Sequence, residues 1–287
     1  MKKLYITSLV VLFMVSSLSA QTEKVESIAF GNMDTWMVRK IKESGIIGGG
    51  NTRYLYEITK GDTLVDAAYK NTSSPWATSS VLAKVKGVTK TSITVFPEQR
   101  GGSGHCARLE TRIENVKVLG LININVLASG TIFLGEMIEP ITSTDNPQSK
   151  LITGIAFTGR PKYLQYDYKV TTGGGDCIRS TGFSGQKKVD RKDMAEVQIL
   201  LQYRWEDADG NVYAKRVGTG WERFQNSVES WQNNHRLEVH YGDVTAKSFY
   251  GSYMGLKDKE ETYYYTKNSK GKMVPIREVA WLLRMKK

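Results

Sequence analysis

Strict two-residue alternation is the feature of this chain that most narrows its fold. From Tyr163 to Val170, Leu164, Tyr166, Tyr168 and Val170 fall on one side, and Tyr163, Gln165, Asp167 and Lys169 on the other. Successive side chains of a strand point to opposite faces of its sheet, so this pattern predicts a half-buried strand. The apolar run Leu151 to Phe157 just before it reads as a second strand. Thr158-Gly159-Arg160-Pro161 between them reads as a rigid cationic corner, because proline fixes φ and glycine relieves the turn.

The same period recurs along the chain. Ala195, Val197, Ile199, Leu201, Tyr203 and Trp205 make its longest run, and Asp209-Gly210 signals the hairpin returning into Val212 to Val217. Shorter strands are expected at Trp36 to Ile41, Tyr54 to Ile58, Val81 to Val85, Ser92 to Phe96, Cys106 to Ile113, Lys117 to Val126 and Ser129 to Gly135. A short entry strand around Ser27 to Phe30, with Leu237 to Tyr241, Thr262 to Thr266 and Val279 to Met285, completes the set. No long helical period interrupts them, which predicts an all-β sandwich, most simply a jelly roll. Residues 21–287 are expected to form one domain, with the best sub-boundary candidate between Pro140 and Lys150. Gly48-Gly49-Gly50 imitates a phosphate loop, but it leads into the strand-like Tyr54 to Ile58, so no helix N-terminus is there to hold an anion.

Residues 1–20 read as a secretory signal peptide. Lys2 and Lys3 precede the apolar run Leu9 to Val15, and Ser16 to Ala20 supplies small residues for cleavage. The run is too short to span a bilayer, so the expected product is exported to the periplasm, outer surface or medium and is not an integral membrane protein. The formal charge of +11 falls by two when Lys2 and Lys3 are removed. The basic residues are scattered, which argues against a nucleic-acid partner and for a solvated surface with some affinity for anionic glycans or envelope lipids. Cys106 and Cys177 are a candidate disulfide in an oxidising compartment, with two free thiols as the alternative. Metal-ligand spacings are absent, so no metal or cofactor is expected; a structural calcium has no motif behind it.

No catalytic residue can be assigned from the sequence. Gly-x-Ser-x-Gly and His-Glu-x-x-His do not occur, and the three histidines, His105, His235 and His240, read as surface residues. Sugar binding needs only aromatic planes for the apolar faces of pyranose rings and a few groups for their hydroxyls. Trp205, Trp231 and Trp281 lie in strand patterns and are assigned to the core. Trp76 and Trp221 flank glycine, proline or small polar residues and are assigned to loops. The candidate carbohydrate-binding residues are therefore Trp36, Trp76, Arg160 and Trp221, with Arg160 either a structural corner or a ligand clamp.

Several segments resemble, in the same order, secreted bacterial proteins carrying the putative carbohydrate metabolism domain (PCMD). They are Asn32 to Trp36, Lys42 to Gly49, Ala107 to Thr111, Ala128 to Gly135, and the Phe157 to Pro161 corner with Tyr166 to Lys169. The resemblance implies a β-jelly roll similar to carbohydrate-binding modules and a role in glycan metabolism. The tail, with Lys257 to Glu261 and Tyr263-Tyr264-Tyr265, departs from the family pattern. The leading expectation is a secreted, non-catalytic glycan-binding or glycan-utilisation accessory protein. The alternatives are a carbohydrate-active enzyme such as a glycoside hydrolase, or a structural component bound to other cell-envelope proteins.

Overall fold

The computed structural model describes residues 23–45, 50–102, 104–118, 122–143, 146–173, 178–180, 186–190 and 192–282. The expected signal peptide and Cys177 lie outside these residues. The described residues form strands and three short 3-10 turns, and the fold is all-β.

The first half is a series of small antiparallel pairings. Met37–Lys42 (β1) pairs with Thr52–Glu57 (β2) and, in parallel, with Leu64–Val65 (β3). Trp76–Thr78 (β4) precedes three hairpins: Val81–Val85 (β5) with Val88–Ser92 (β6), Val95–Gln99 (β7) with His105–Leu109 (β8), and Arg112–Val118 (β9) with Ile122–Ala128 (β10). Ile132–Met137 (β11) then lies between β4 and Leu151–Thr153 (β12).

The second half carries longer strands. Tyr163–Val170 (β13) is the alternating strand expected from the sequence. Ile178–Ser180 (β14) and Gln186–Lys188 (β15) form a short pair. Ala195–Glu206 (β16) and Val212–Phe224 (β17) form the long hairpin, and Val228–Glu238 (β18) returns to pair with β13. After His240–Tyr241 (β19), Tyr264–Lys267 (β20) and Met273–Trp281 (β21) complete a sheet in the order β16-β17-β21-β20, with β17 and β21 parallel.

Two apolar clusters anchor these halves: Ile41, Leu55, Leu82 and Ile93 in the first, and Val212, Ala214, Val274 and Ile276 in the second. Each continues along its strand into a buried arginine, Arg39 two residues before Ile41 and Arg216 two residues after Ala214. Alternation sends these arginines inward, where carboxylates meet them. Arg39 Nη1 donates to Glu57 Oε1 at 2.7 Å and Glu139 Oε1 at 3.1 Å, while Nη2 binds Glu139 Oε2. Arg216 Nε donates to Glu278 Oε1 at 2.6 Å, and its Nη2 binds the second oxygen. Burying a charge is tolerated only with such pairing.

Several expectations needed correction. Ser27 to Phe30 forms no strand; the chain turns there, with the Gly31 N–H donating to the Ile28 carbonyl at 2.8 Å. The apolar run from Leu151 is a strand only to Thr153. Gly154 adopts φ 85°, and a Cβ there would stand 2.8 Å from the Arg204 guanidinium, so the chain turns out of the sheet and leaves Ile155 and Phe157 exposed. Cys106 to Ile113 is two strands, and Lys117 to Val126 spans two strands of a hairpin. The hairpin at Asp209-Gly210 exists, with Asp207 Oδ1 accepting the N–H groups of Asp209 and Asn211 at 3.0 and 2.8 Å. Trp221 and Trp76 are strand residues. The glycine preceding Trp221 marks close backbone approach, since a Cβ on Gly220 would lie 2.7 Å from the Glu238 carbonyl oxygen.

Candidate functional site

The β13–β18 ribbon carries a row of aromatic and planar polar side chains on its outer face. Pairing begins in register, with Tyr163 opposite Glu238 and Tyr166 opposite His235. It then slips, so that Tyr168 faces Gln232 and Val170 faces Val228. Asn234 sits at the slip with φ 56°, a left-handed conformation that asparagine tolerates. Its N–H donates to Asp167 Oδ1 at 2.7 Å, so the bulge leaves that donor satisfied.

On the outer face, Asp167 is the hub. Its Oδ2 accepts from Arg100 Nη1 at 2.6 Å, and Arg100 Nη2 also reaches Asn233 Oδ1. The Asn234 N–H, helped by the Arg100 hydrogen bond and charge, holds the Asp167 carboxyl below the usual range against the opposing effect of burial. The Arg100 guanidinium lies 4.4 Å from the centre of the Trp231 ring, and Lys169 Nζ lies 5.6 Å from it. Toward the other end, Arg236 Nε donates to Gln165 Oε1 at 3.0 Å, and Gln165 Nε2 to Asn234 Oδ1 at 3.1 Å. Arg236 also leans over Tyr163, 5.5 Å from the ring centre. An aromatic ring therefore marks each end, with amide, carboxylate and guanidinium planes between them.

The Asn32 to Trp36 segment positions one part of this face. Asp34 Oδ1 accepts the His105 N–H at 2.7 Å and Asp34 Oδ2 accepts from Asn32 at 3.0 Å, which secures the loop that presents Arg100. Trp36 is a brace within the segment, donating from Nε1 to the Met33 carbonyl at 2.7 Å.

The inner face joins the ribbon to β17. The Tyr166 hydroxyl donates to Glu222, and His235 Nε2 lies 3.0 Å from both Glu222 oxygens. Tyr168 packs on Phe224 at 4.6 Å and edge-on to His235 at 5.2 Å. Glycoside hydrolysis generally pairs two carboxylates, one protonating the leaving oxygen. Among the described residues this cluster contains one, surrounded by rings.

The four tryptophan and arginine candidates from the sequence serve separate local contacts. Trp76 is half-buried, and its Nε1 donates to the Ala29 carbonyl at 2.9 Å. Trp221 is 8% exposed and donates to Glu196 Oε2 at 3.2 Å. Arg160 is exposed and stacks 4.0 Å over Tyr241, whose hydroxyl donates to the Pro161 carbonyl at 2.7 Å. Trp231, assigned to the core from its sequence pattern, is instead half-buried on the outer face. Cys106 is a half-buried thiol pointing to the Glu98 carbonyl, and its candidate partner lies outside the described residues. Among the described residues no group of three or more His, Cys, Asp or Glu side chains is placed to hold a metal, and no helix is long and apolar enough to cross a membrane.

A recess of about 390 Å³ lies elsewhere, lined by residues including Ile41, Lys42, Glu43 and Thr89. None of its lining side chains is aromatic, which makes it a poorer match to a sugar ring than the ribbon.

The described residues form an all-β fold, and the β13–β18 ribbon presents an open face of aromatic and polar side chains. The chain belongs to the family described as the putative carbohydrate metabolism domain, whose model matches residues 51–243, about two thirds of its length. The match contains the whole ribbon and ends before β20 and β21. No curated protein and no solved structure matches the chain.

Proposed function

We propose that the protein is a secreted, non-catalytic glycan-binding accessory protein whose binding surface is the outer face of the β13–β18 ribbon. The observation that carries this reading is the placement of Trp231 and Tyr163 at opposite ends of one strand pair, with Gln165, Asp167 and Asn233 between them. Six strand steps separate Tyr163 from Lys169, about 20 Å, which suits an extended oligosaccharide better than a single sugar. Aromatic planes accept the C–H faces of sugar rings, and the amide and carboxylate groups accept or donate to hydroxyls. The apolar stretch near the N-terminus supports export, and the carbohydrate-related family supports a glycan as partner.

A glycan array followed by affinity electrophoresis tests this reading. Trp231→Ala is expected to weaken binding to the retained polysaccharide by roughly tenfold, as truncation of an aromatic anchor does. Equal retention of the variant and the parent, or no retention on any glycan, counts against the proposal. Reducing ends released from the retained polysaccharide would favour the enzyme reading instead, with Glu222 as the carboxylate to examine.

A further inference from the structure

We infer that Arg236 and Lys162 form a subsite for a carboxylated sugar at the Tyr163 end of the ribbon, occupied in the free protein by Glu23. This inference rests on the glycan-binding reading and specifies its ligand class. One carboxylate spans both cations: Glu23 Oε2 accepts from Arg236 Nη1 at 2.8 Å, and Oε1 lies 3.9 Å from Lys162 Nζ. The arrangement has a fixed side and a loose side.

Arg236 is the fixed side. Its Nε is committed to Gln165, which aims the remaining guanidinium edge outward. A guanidinium edge matches a carboxylate better than it matches a lone hydroxyl. Tyr163, 40% exposed, offers a ring plane beside it. A uronic acid presents both complementary features, an apolar ring face and a carboxylate on the same ring.

Glu23 is the loose side. Residues 23–28 form no strand, and the first long-range anchor after them is the Ala29 carbonyl held by Trp76. Among the described residues, the two ion pairs of Glu23 are the polar contacts that tie 23–27 to the ribbon. Both pairs are solvent-exposed, with the Arg236 and Lys162 side chains 45% and 75% accessible. Exposed ion pairs are weak and screened by salt, so a ligand carboxylate can replace Glu23 without unfolding any element. The formal charge of the chain, +11, also favours the approach of an acidic polymer.

The test uses the full chain and two forms of one polymer, de-esterified homogalacturonan oligomers and their methyl-esterified counterparts, with affinity read by calorimetry. Glu23→Gln is expected to tighten binding of the de-esterified form roughly threefold, the scale of an exposed ion pair, and to leave the methyl ester unchanged. Arg236→Gln is expected to abolish the preference for the de-esterified form, with an unchanged melting temperature showing that the ribbon is intact. Equal affinity of Glu23→Gln and the parent for the de-esterified form overturns the subsite, as does an equal gain for both forms. If Trp231→Ala weakens binding of the methyl ester while Glu23→Gln changes nothing, the subsite falls and the glycan-binding reading stands. No binding of either form overturns the uronate subsite, and the array then decides the broader reading alone.

Discussion

Arg216→Ala is expected to remove about 3–5 kcal/mol of folding stability, because it strands a buried carboxylate. Glu278 is 1% exposed and takes both its charge partner and its shape complement from the Arg216 fork. Burial alone would raise the Glu278 carboxyl; the Arg216 hydrogen bonds and charge override it and hold the group below the ordinary value. Gln202 Nε2 and the Lys257 N–H also donate to Glu278, at 2.5 and 2.7 Å, but neither supplies a compensating charge from that bond. The arginine does more than neutralise. Its Nη1 donates to Thr219 Oγ1 at 3.2 Å and the Met254 carbonyl at 3.3 Å, and Nη2 to the Gly255 carbonyl at 3.3 Å. These bonds bring the segment before β20 onto the parallel junction of β17 and β21. Removing both charges together, as Arg216→Met with Glu278→Leu, is expected to cost less than the single change, because no unpaired ion remains. Urea denaturation followed by tryptophan fluorescence measures both. A single-site loss below about 1 kcal/mol would show that water or another cation reaches Glu278, and the buried-pair account would fail.

The second large effect is a pH dependence centred on Glu57. Burial pushes its carboxyl from an ordinary 4.5 up to about 7; Arg39 opposes the shift and the Glu139 charge adds to it. One arginine serves two carboxylates here, and Glu139 has the better share, accepting also from the Leu82 and Tyr69 N–H groups at 2.8 and 3.1 Å. A proton on Glu57 leaves the buried cluster with one cation and one anion. The folded state therefore holds this proton more tightly than the unfolded chain does. The contribution to stability is fully present below about pH 4.5 and is lost as pH rises through about 7. A shift of this size corresponds to about 3 kcal/mol. Glu57→Gln removes the titrating group while keeping an acceptor for Arg39. Its stability relative to the parent is expected to rise by about that amount between pH 5 and pH 8 in parallel denaturation curves. A constant difference between the two proteins across that range would contradict the shared-arginine description.

The all-β class is legible in the sequence because β13 and β16 alternate cleanly, Tyr163 to Val170 and Ala195 to Glu206. The proposed site is half legible. Its β13 edge shows the correct faces, but β18 is recognisable only at Leu237, because Glu229, Ser230, Gln232, Asn233 and Asn234 present no apolar stripe and the slips opposite Tyr168 and Val170 break the period. Trp231 reads as an inward residue because aromatic strand residues usually pack inward. A strand pattern gives no face once a bulge shifts the count. Glycines mislead in the opposite direction. Gly220, beside Trp221, looks like a loop residue but sits within β17, where the Glu238 carbonyl of β18 lies too close for a side chain. The buried pairs are beyond reach of pattern reading, since Arg39 and Glu139 are 100 positions apart and only the folded chain brings them together. The family match and the sequence resemblance agree on Tyr166 to Lys169 of β13, while Asn32 to Trp36, which secures the Arg100 loop, lies before the matched residues.

Hydrogen exchange with and without the polysaccharide that retains the protein tests the central claim most directly. Slower exchange at residues 163–170 and 228–238 and in the loop following Arg100, with the β16–β17–β21 sheet unchanged, is the predicted result. Protection confined to that sheet, with the ribbon exchanging as before, would contradict the assignment of the glycan site.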